Sequence, residues 1–355
     1  MNNFFYRDAE EAANSINKIA GELQGKTILV TGATGMLGIQ TVNVLLYLKK
    51  EKQMDLKIIA LVRDKTKFVS LFSEEDRKEI VIITHDFSNL NKVPDIETDY
   101  IIHTVAVTGG SKQHVDKPVT TIYTALSSMY QILEMAKRIK VKGMVFLSSL
   151  EVYGKTDKEK MSISEQDYGY IDPVNVRSSY SESKRMCETM CVSYAKQFQI
   201  PIFIARLTAT FGVGTRFDDN RVFAQFARSI VKNEDIVLKS TGETVRNYCY
   251  VNDAVAAIFY ILLQGKSGEA YNVANMDTAI SIKEMAERII EQNPDAKTKL
   301  IFDLEDDIQK LGYNETIMKR LDTRKLENLG WKPQIDMNTM LCRLVEYMRF
   351  LHNEE

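Results

Sequence analysis

Six short apolar runs, rich in β-branched residues, punctuate the chain up to residue 208: KTILVTG (26–32), LKIIALVR (56–63), EIVIITHD (79–86), DYIIHTVA (99–106), KGMVFLSS (142–149) and IPIFIARLT (200–208). They are too uniformly apolar for strands with one wet face, so they predict strands covered on both sides. Between most of them lie longer stretches of helical period, such as MLGIQTVNVLLYLKK (36–50) and TALSSMYQILEMAKRIK (124–140). Strand and helix in alternation make a βαβ series, and the economical fold is α/β with a parallel, doubly wound sheet. Residues 7–21 read as a leading helix outside that sheet. After about residue 206 the rhythm changes to mixed short elements and then a helix-rich, charged tail. The chain therefore divides into a helical extension (1–24), a sheet unit (25–206, with a return segment at about 247–275) and a smaller lobe (207–246 and 276–355).

Composition narrows the function classes. With 355 residues, 45% of them hydrophobic, the chain can bury a large core. A formal net charge of −2 gives no global field for nucleic acid or an anionic membrane, so an acidic ligand has to be held locally. No apolar run reaches the roughly 18 residues of a membrane span. The opening MNNFFYRDAEEAANSINKIA carries acids where a secretory leader is basic and then apolar, which points to a cytoplasmic protein. Cys187, Cys191, Cys249 and Cys342 show no CxxC spacing, and no metal is expected; Cys187 and Cys191, one helical turn apart, predict helix packing.

The junction after the first run reads VTGATGMLG, with Gly32, Gly35 and Gly38 between strand and helix. Glycines there permit a tight turn, close backbone approach to a pyrophosphate and close helix–strand packing, while the helix start offers amides and a positive dipole end. Thr34, Met36 and Leu37 lie along the same cradle. The spacing TGxxGxxG resembles the short-chain dehydrogenase/reductase superfamily, whose sheet is of the Rossmann type. That resemblance demands a Tyr-xxx-Lys pair on a later helix and a Ser or Thr before it. RSSYSESKRMCE (177–188) supplies Tyr180 and Lys184 one turn apart, and VFLSSLEVYG supplies Ser148 and Ser149 at a strand end. The chemistry suits the set: a phenol with an ordinary pKa near 10 needs a neighbouring ammonium to act as a base at neutral pH. A serine hydroxyl can orient the same substrate oxygen for proton transfer.

SSLEVYG, ARLTATFG, GETVRNYCYVNDAV and EAYNVAN together resemble the extended branch, the nucleotide-sugar epimerases, dehydratases and decarboxylases, nearest in phrasing to UDP-glucuronate decarboxylases and dTDP-glucose 4,6-dehydratases. The resemblance implies that Ser149, Tyr180 and Lys184 are catalytic with Glu151, and that Arg246, with Arg216, binds the nucleotide-sugar substrate, the smaller lobe covering it. It implies a dinucleotide held also by Asp86, Phe87 and Ala106, with His103 as a strand-end residue under it. NAD is the expected cofactor; Arg63, at the end of the second strand where NAD-selective members carry an acid, leaves NADP possible, and Asp64 beside it could take the ribose. A homodimer is implied as well.

The mechanism so implied is transient oxidation. Tyr180 as phenolate takes the proton of a sugar C4 hydroxyl while hydride leaves C4, giving a 4-keto sugar. Return of hydride to the other face gives a 4-epimer, loss of a C5 carboxylate a pentose, and elimination a 6-deoxy-4-keto sugar. Four departures bear on the choice. Leu150 stands where dehydratases carry the acid of an Asp-Glu pair, Ala125 and Ala209 stand where asparagines are usual, and Gly214 falls where the decarboxylases have an arginine. The expected activity is therefore an epimerase, with decarboxylase or 4,6-dehydratase as the alternative. A non-catalytic dinucleotide sensor is a remoter one, disfavoured by the presence of both Tyr180 and Lys184.

Overall fold

All six apolar runs are strands, and they lie side by side in one sheet. A computed structural model describes residues 3–89, 92–106, 111–157, 159–304 and 318–354. Its strands are β1 (Lys26–Thr31), β2 (Leu56–Val62), β3 (Ile80–Thr84), β4 (Tyr100–His103), β5 (Gly143–Ser149), β6 (Ile202–Leu207), β7 (Ala209–Phe211), β8 (Ile236–Leu238), β9 (Val245–Tyr250), β10 (Ala270–Val273), β11 (Asn275–Ser281), β12 (Leu300–Phe302) and β13 (Met318–Lys319). Its helices are α1 (Asn3–Ser15), α2 (Met36–Lys50), α3 (Lys65–Leu71), α4 (Glu74–Lys78), α5 (Ser111–Asp116), α6 (Pro118–Ile139), α7 (Ser179–Phe198), α8 (Val222–Lys232), α9 (Val251–Gln264), α10 (Ile282–Glu291), α11 (Arg324–Glu327) and α12 (Met337–Glu354).

The main sheet has seven strands in the order β3-β2-β1-β4-β5-β6-β10, every neighbouring pair parallel. The strand order reverses between β1 and β4, and the crevice beyond their C-terminal ends is where open α/β sheets take ligands. Helices α2 and α9 cover one face through Val42, Leu45, Val255 and Ile258; α6 and α7 cover the other through Met129, Ile132, Cys187 and Cys191. The two α7 cysteines do pack as the spacing predicts: Cys191 Sγ lies 3.7 Å from Met129 Sδ, and both are buried.

A second apolar core, around Phe211, Phe223, Tyr248, Met285 and Leu341, joins β7 and β9 to α8, α10 and α12. In its sheet β9 pairs antiparallel with β11 and parallel with β7 and β13. Among the described residues no helix is long and apolar enough to cross a membrane, and no group of three or more His, Cys, Asp or Glu side chains is placed to hold a metal ion.

The leading helix begins and ends earlier than its sequence pattern suggests. Ala9, Ala12 and Ala13 are buried against the α2 and α9 layer, but Ser15 competes with the backbone, its Oγ donating to the Ala12 carbonyl at 2.8 Å, and a separate 3-10 turn follows at Ala20–Leu23. The other face of α1 is clamped to distant parts of the chain. Glu11 accepts from Arg343 Nη1 and Nη2 at 2.7 and 2.8 Å and from Asn252 Nδ2 at 2.8 Å. Asp8 is fully buried 3.5 Å from Arg343, and that burial pushes its carboxyl up to about 6.

Candidate active site

The glycine turn sits at the β1–β4 crevice and is shaped by contacts that no side chain could share. Gly32 has φ +66°, and a Cβ on it would stand 2.7 Å from Thr104 Oγ1; a Cβ on Gly38 would stand 2.4 Å from the Gly32 carbonyl oxygen. Gly35 ends the turn in an extended conformation and α2 starts at Met36, so the first amides of α2 face the crevice without a side-chain cap. A compact backbone cradle at a helix N-terminus fits a dinucleotide pyrophosphate. Thr34 and Leu37 lie in this turn and first helical residues, and Met36 Sδ accepts from Thr215 Oγ1 at 3.5 Å.

Gly214 packs onto the same place. It has φ +91°, and a Cβ there would stand 3.3 Å from Met36 Cγ and 3.6 Å from Phe5 Cε1 of α1. The position read as a missing arginine is thus a close backbone contact with the head of α2.

At the adenosine end, Asp64 caps α3, its Oδ1 accepting from the Lys67 amide at 3.0 Å. Arg63 is exposed, and its charge helps hold the Asp86 carboxyl below its ordinary range, after the Ser88 amide that Asp86 accepts. Phe87 is buried edge-on to His103. His103 ties β4 to β1, its Nδ1 2.8 Å from Thr31 Oγ1, and burial with the Lys184 charge pushes its imidazole down to about 3. Ala106 is partly buried just beyond β4.

The end of β5 meets the start of α7 next to this crevice. Ser148 and Ser149 point opposite ways, as neighbours on a strand must. Ser148 Oγ donates to Glu188 Oε1 at 2.5 Å, while the Ser149 hydroxyl, which accepts from the Glu151 amide at 3.2 Å, is near enough to the Tyr180 phenol to hold it down. Burial pushes that phenol up, and the Ser149 bond works against the rise, aided by the charges of Arg221 and Arg177. Lys184, 4% exposed, donates from Nζ to the Leu147 carbonyl at 2.7 Å and sits 5.9 Å from the Tyr180 ring centroid; burial pushes its ammonium down. The three residues predicted from the motifs thus lie near one another, the Ser149 hydroxyl acting on the phenol and the Lys184 ammonium 5.9 Å from its ring centroid.

Their surroundings hold residues the sequence did not mark. Glu151 lies 3.7 Å from Arg177, which comes from the turn leading into α7. His114 of α5 stacks on Tyr180. Arg221, at the head of α8, sends its charge to Tyr180 while paired with Asp219 at 2.7 Å. Arg216 instead is exposed, paired with Asp218, and is not brought to Tyr180. Arg246 stands on β9, half-buried, and among the described residues its guanidinium has no hydrogen-bond or ion-pair partner. Leu150, the neighbour of Ser149, belongs to an apolar cluster with Val152, Tyr153, Ile163 and Leu321. Ala209 pairs with Tyr248 at the head of β7, and the Ala125 carbonyl receives Cys187 Sγ at 3.6 Å.

Known proteins are similar to this chain in sequence and in fold. The model of the NAD dependent epimerase/dehydratase family matches residues 28–274. UDP-glucuronic acid decarboxylase 6 of Arabidopsis thaliana is 28% identical over 331 residues, covering 91% of this chain and 88% of that protein. UDP-glucuronic acid decarboxylase 5 of the same plant is 30% identical over 256 residues, 72% of this chain and 71% of that one. The structure of a UDP-glucose 4-epimerase with UDP-glucose from Thermotoga maritima superposes with a TM-score of 0.76 at 19% identity, over 93% of this chain and all of that one. With the glycine cradle, the Tyr180–Lys184 pair and this kinship together, the chain belongs to the NAD dependent epimerase/dehydratase family.

Proposed function

We propose that the protein takes a nucleotide-diphosphate sugar through oxidation at C4 and returns it with that centre inverted, as a 4-epimerase. The observation that carries this reading is the Ser149–Tyr180–Lys184 cluster in which the residue after Ser149 is no acid: Leu150 is part of an apolar cluster, and Glu151 beyond it lies 3.7 Å from Arg177. NAD held along Gly32–Gly38 would supply the acceptor and donor for the C4 hydride. Ser149 bonds the C4 oxygen and Tyr180 removes its proton; Lys184 holds a positive charge next to the phenolate that does so. Residues 207–246 and 276–355 cover the substrate in this reading, and the unpartnered Arg246 takes the diphosphate through charge-assisted bonds.

A second reading is supported by the relatives named above as UDP-glucuronic acid decarboxylases. Glu151, retained beside Ser149, would then serve a uronate substrate. Incubating the protein with NAD and a panel of nucleotide-linked hexoses and UDP-glucuronate, with products read by mass and NMR, separates the two. An isomer of unchanged mass supports epimerisation; loss of carbon dioxide replaces it with decarboxylation, and loss of water refutes both. In the same assay Arg246→Ala should raise KM about tenfold or more with kcat little changed, and an unchanged KM would put the diphosphate elsewhere.

Two copies of the chain are proposed to pair through α6 and α7, which leave Val119, Ile122, Tyr130, Met186 and Val192 exposed. Sedimentation at twice the chain mass, lost in a Tyr130→Glu/Val192→Glu variant, is the expected result; a parent protein sedimenting at the single-chain mass contradicts it.

A further inference from the structure

The imidazole of His114 lies nearly flat against the ring of Tyr180, with centroids 4.5 Å apart and planes at 22°. It reaches that place from α5, across 65 residues of sequence, and is anchored at both ends of its own residue. Nδ1 lies 3.2 Å from Thr121 Oγ1 of α6, and its carbonyl accepts from Ser179 Oγ, the residue just before Tyr180, also at 3.2 Å. Thr121 is 1% exposed and also donates to the Lys117 carbonyl, so the imidazole rests on a fixed partner. His114 itself is 5% exposed. A flexible filler would need none of these bonds.

We propose that His114 is a positioning residue for the catalytic phenol. It sets the plane of the Tyr180 ring so that Ser149 and the substrate oxygen meet the phenol oxygen together, and it keeps water from one ring face. The proposal rests on Tyr180 acting as the base. The charge state agrees with this role. Burial pushes the imidazole down to about 4, Arg177 and Lys184 add to the fall and Glu151 opposes it, so a neutral ring covers the phenol near pH 7. The groups acting on the phenol are then Ser149 and Glu151 from the turn after β5, Arg177 from the turn before α7, and Arg221 from α8. Of these influences burial is the largest, and His114 contributes to it.

The test compares His114→Phe, which keeps a flat ring, with His114→Ala, which removes it, both loaded with NAD. Tyrosine is labelled with 13C in the ring, the Tyr180 signal is assigned by its absence in Tyr180→Phe, and its shift is followed against pH beside kcat and KM. In His114→Ala the Tyr180 phenol should ionise at lower pH, because burial raises it and that burial is relieved. Its kcat should fall about tenfold with KM within about twofold, the upper end of what an aromatic pair of this kind is worth. His114→Phe should restore both readings to within about threefold of the parent. An unchanged Tyr180 titration in His114→Ala overturns the proposal whatever the rate does, and so does a Phe variant as impaired as the Ala one. If His114→Ala fails to fold, His114→Asn is read by the same criteria. Full activity in Tyr180→Phe would instead strike the functional reading, and that outcome is separate from the state of the stack.

Discussion

Tyr180→Phe should lower kcat by roughly 10²- to 10⁴-fold, the range that a positioned general base contributes, while leaving NAD affinity near the parent value. The phenol oxygen is the group on which Ser149 acts, and the ring without it still stacks on His114 and lies 5.9 Å from the Lys184 ammonium. Removing the oxygen therefore removes the base and little else. Turnover and NAD binding by calorimetry, measured on the same preparation, decide the matter. A variant retaining more than about a tenth of the parental kcat would show that the proton leaves by another route, and Glu151 would be the first place to look.

Glu188→Ala should be the most destabilising single change on the buried side of α7. Arg206, 1% exposed on β6, gives Nε and Nη2 to the two Glu188 oxygens at 3.0 and 2.7 Å. Its remaining hydrogens go to Tyr153 Oη at 3.0 Å, the Glu165 carbonyl at 2.9 Å and Tyr168 Oη at 2.6 Å. Deleting the carboxylate strands a buried guanidinium and leaves the Ser148 hydroxyl without its acceptor. The expected loss is about 3–5 kcal/mol, a large part of the roughly 5–15 kcal/mol that holds an ordinary protein folded. Glu188→Leu/Arg206→Met, which removes both charges and refills the volume, should cost much less. Urea unfolding of the three proteins checks this. A single variant within 1 kcal/mol of the parent would mean that the pair does not hold α7 to β6.

What could be read in advance was whatever depends on neighbours in sequence. Five of the six runs are strands with most positions covered, which leaves an apolar word of uniform texture; the third, β3 at the sheet edge, is as apolar but buries only Ile80. The three glycines could be read because Gly32 and Gly38 must touch backbone across a single turn. Ser149, Tyr180 and Lys184 lie in two short phrases whose spacing fixes their relation to a strand end and one helical turn. His114 had no such phrase, since only the packing of α5 on the turn before α7 brings it to the phenol. Arg216 and Arg221 show the same limit more sharply. Both lie in one loop, each with an aspartate two positions away, and the path of the chain around Gly214 and into α8 decides which of the two charges acts on Tyr180. The helix read over residues 7–21 ends at Ser15, whose side chain bonds the Ala12 carbonyl.

The clamp between Glu11 and Arg343 has a consequence for the order in which the protein is made. These partners stand 332 residues apart, so during synthesis the carboxylate leaves the ribosome long before its guanidinium. Closing so long a loop is thermodynamically mild, because the entropy grows only with the logarithm of length, about 0.6 kcal/mol per doubling. Its effect is on timing. Until α12 emerges, the acidic face of α1 has no Arg343, and Phe5 lacks the Tyr347 ring it packs beside. Phe5, Gly214 and Met36 meet at the glycine cradle, so the packing around that cradle is finished only after α12 has emerged. A nascent chain therefore makes its βαβ series early but finishes the packing of its glycine cradle late.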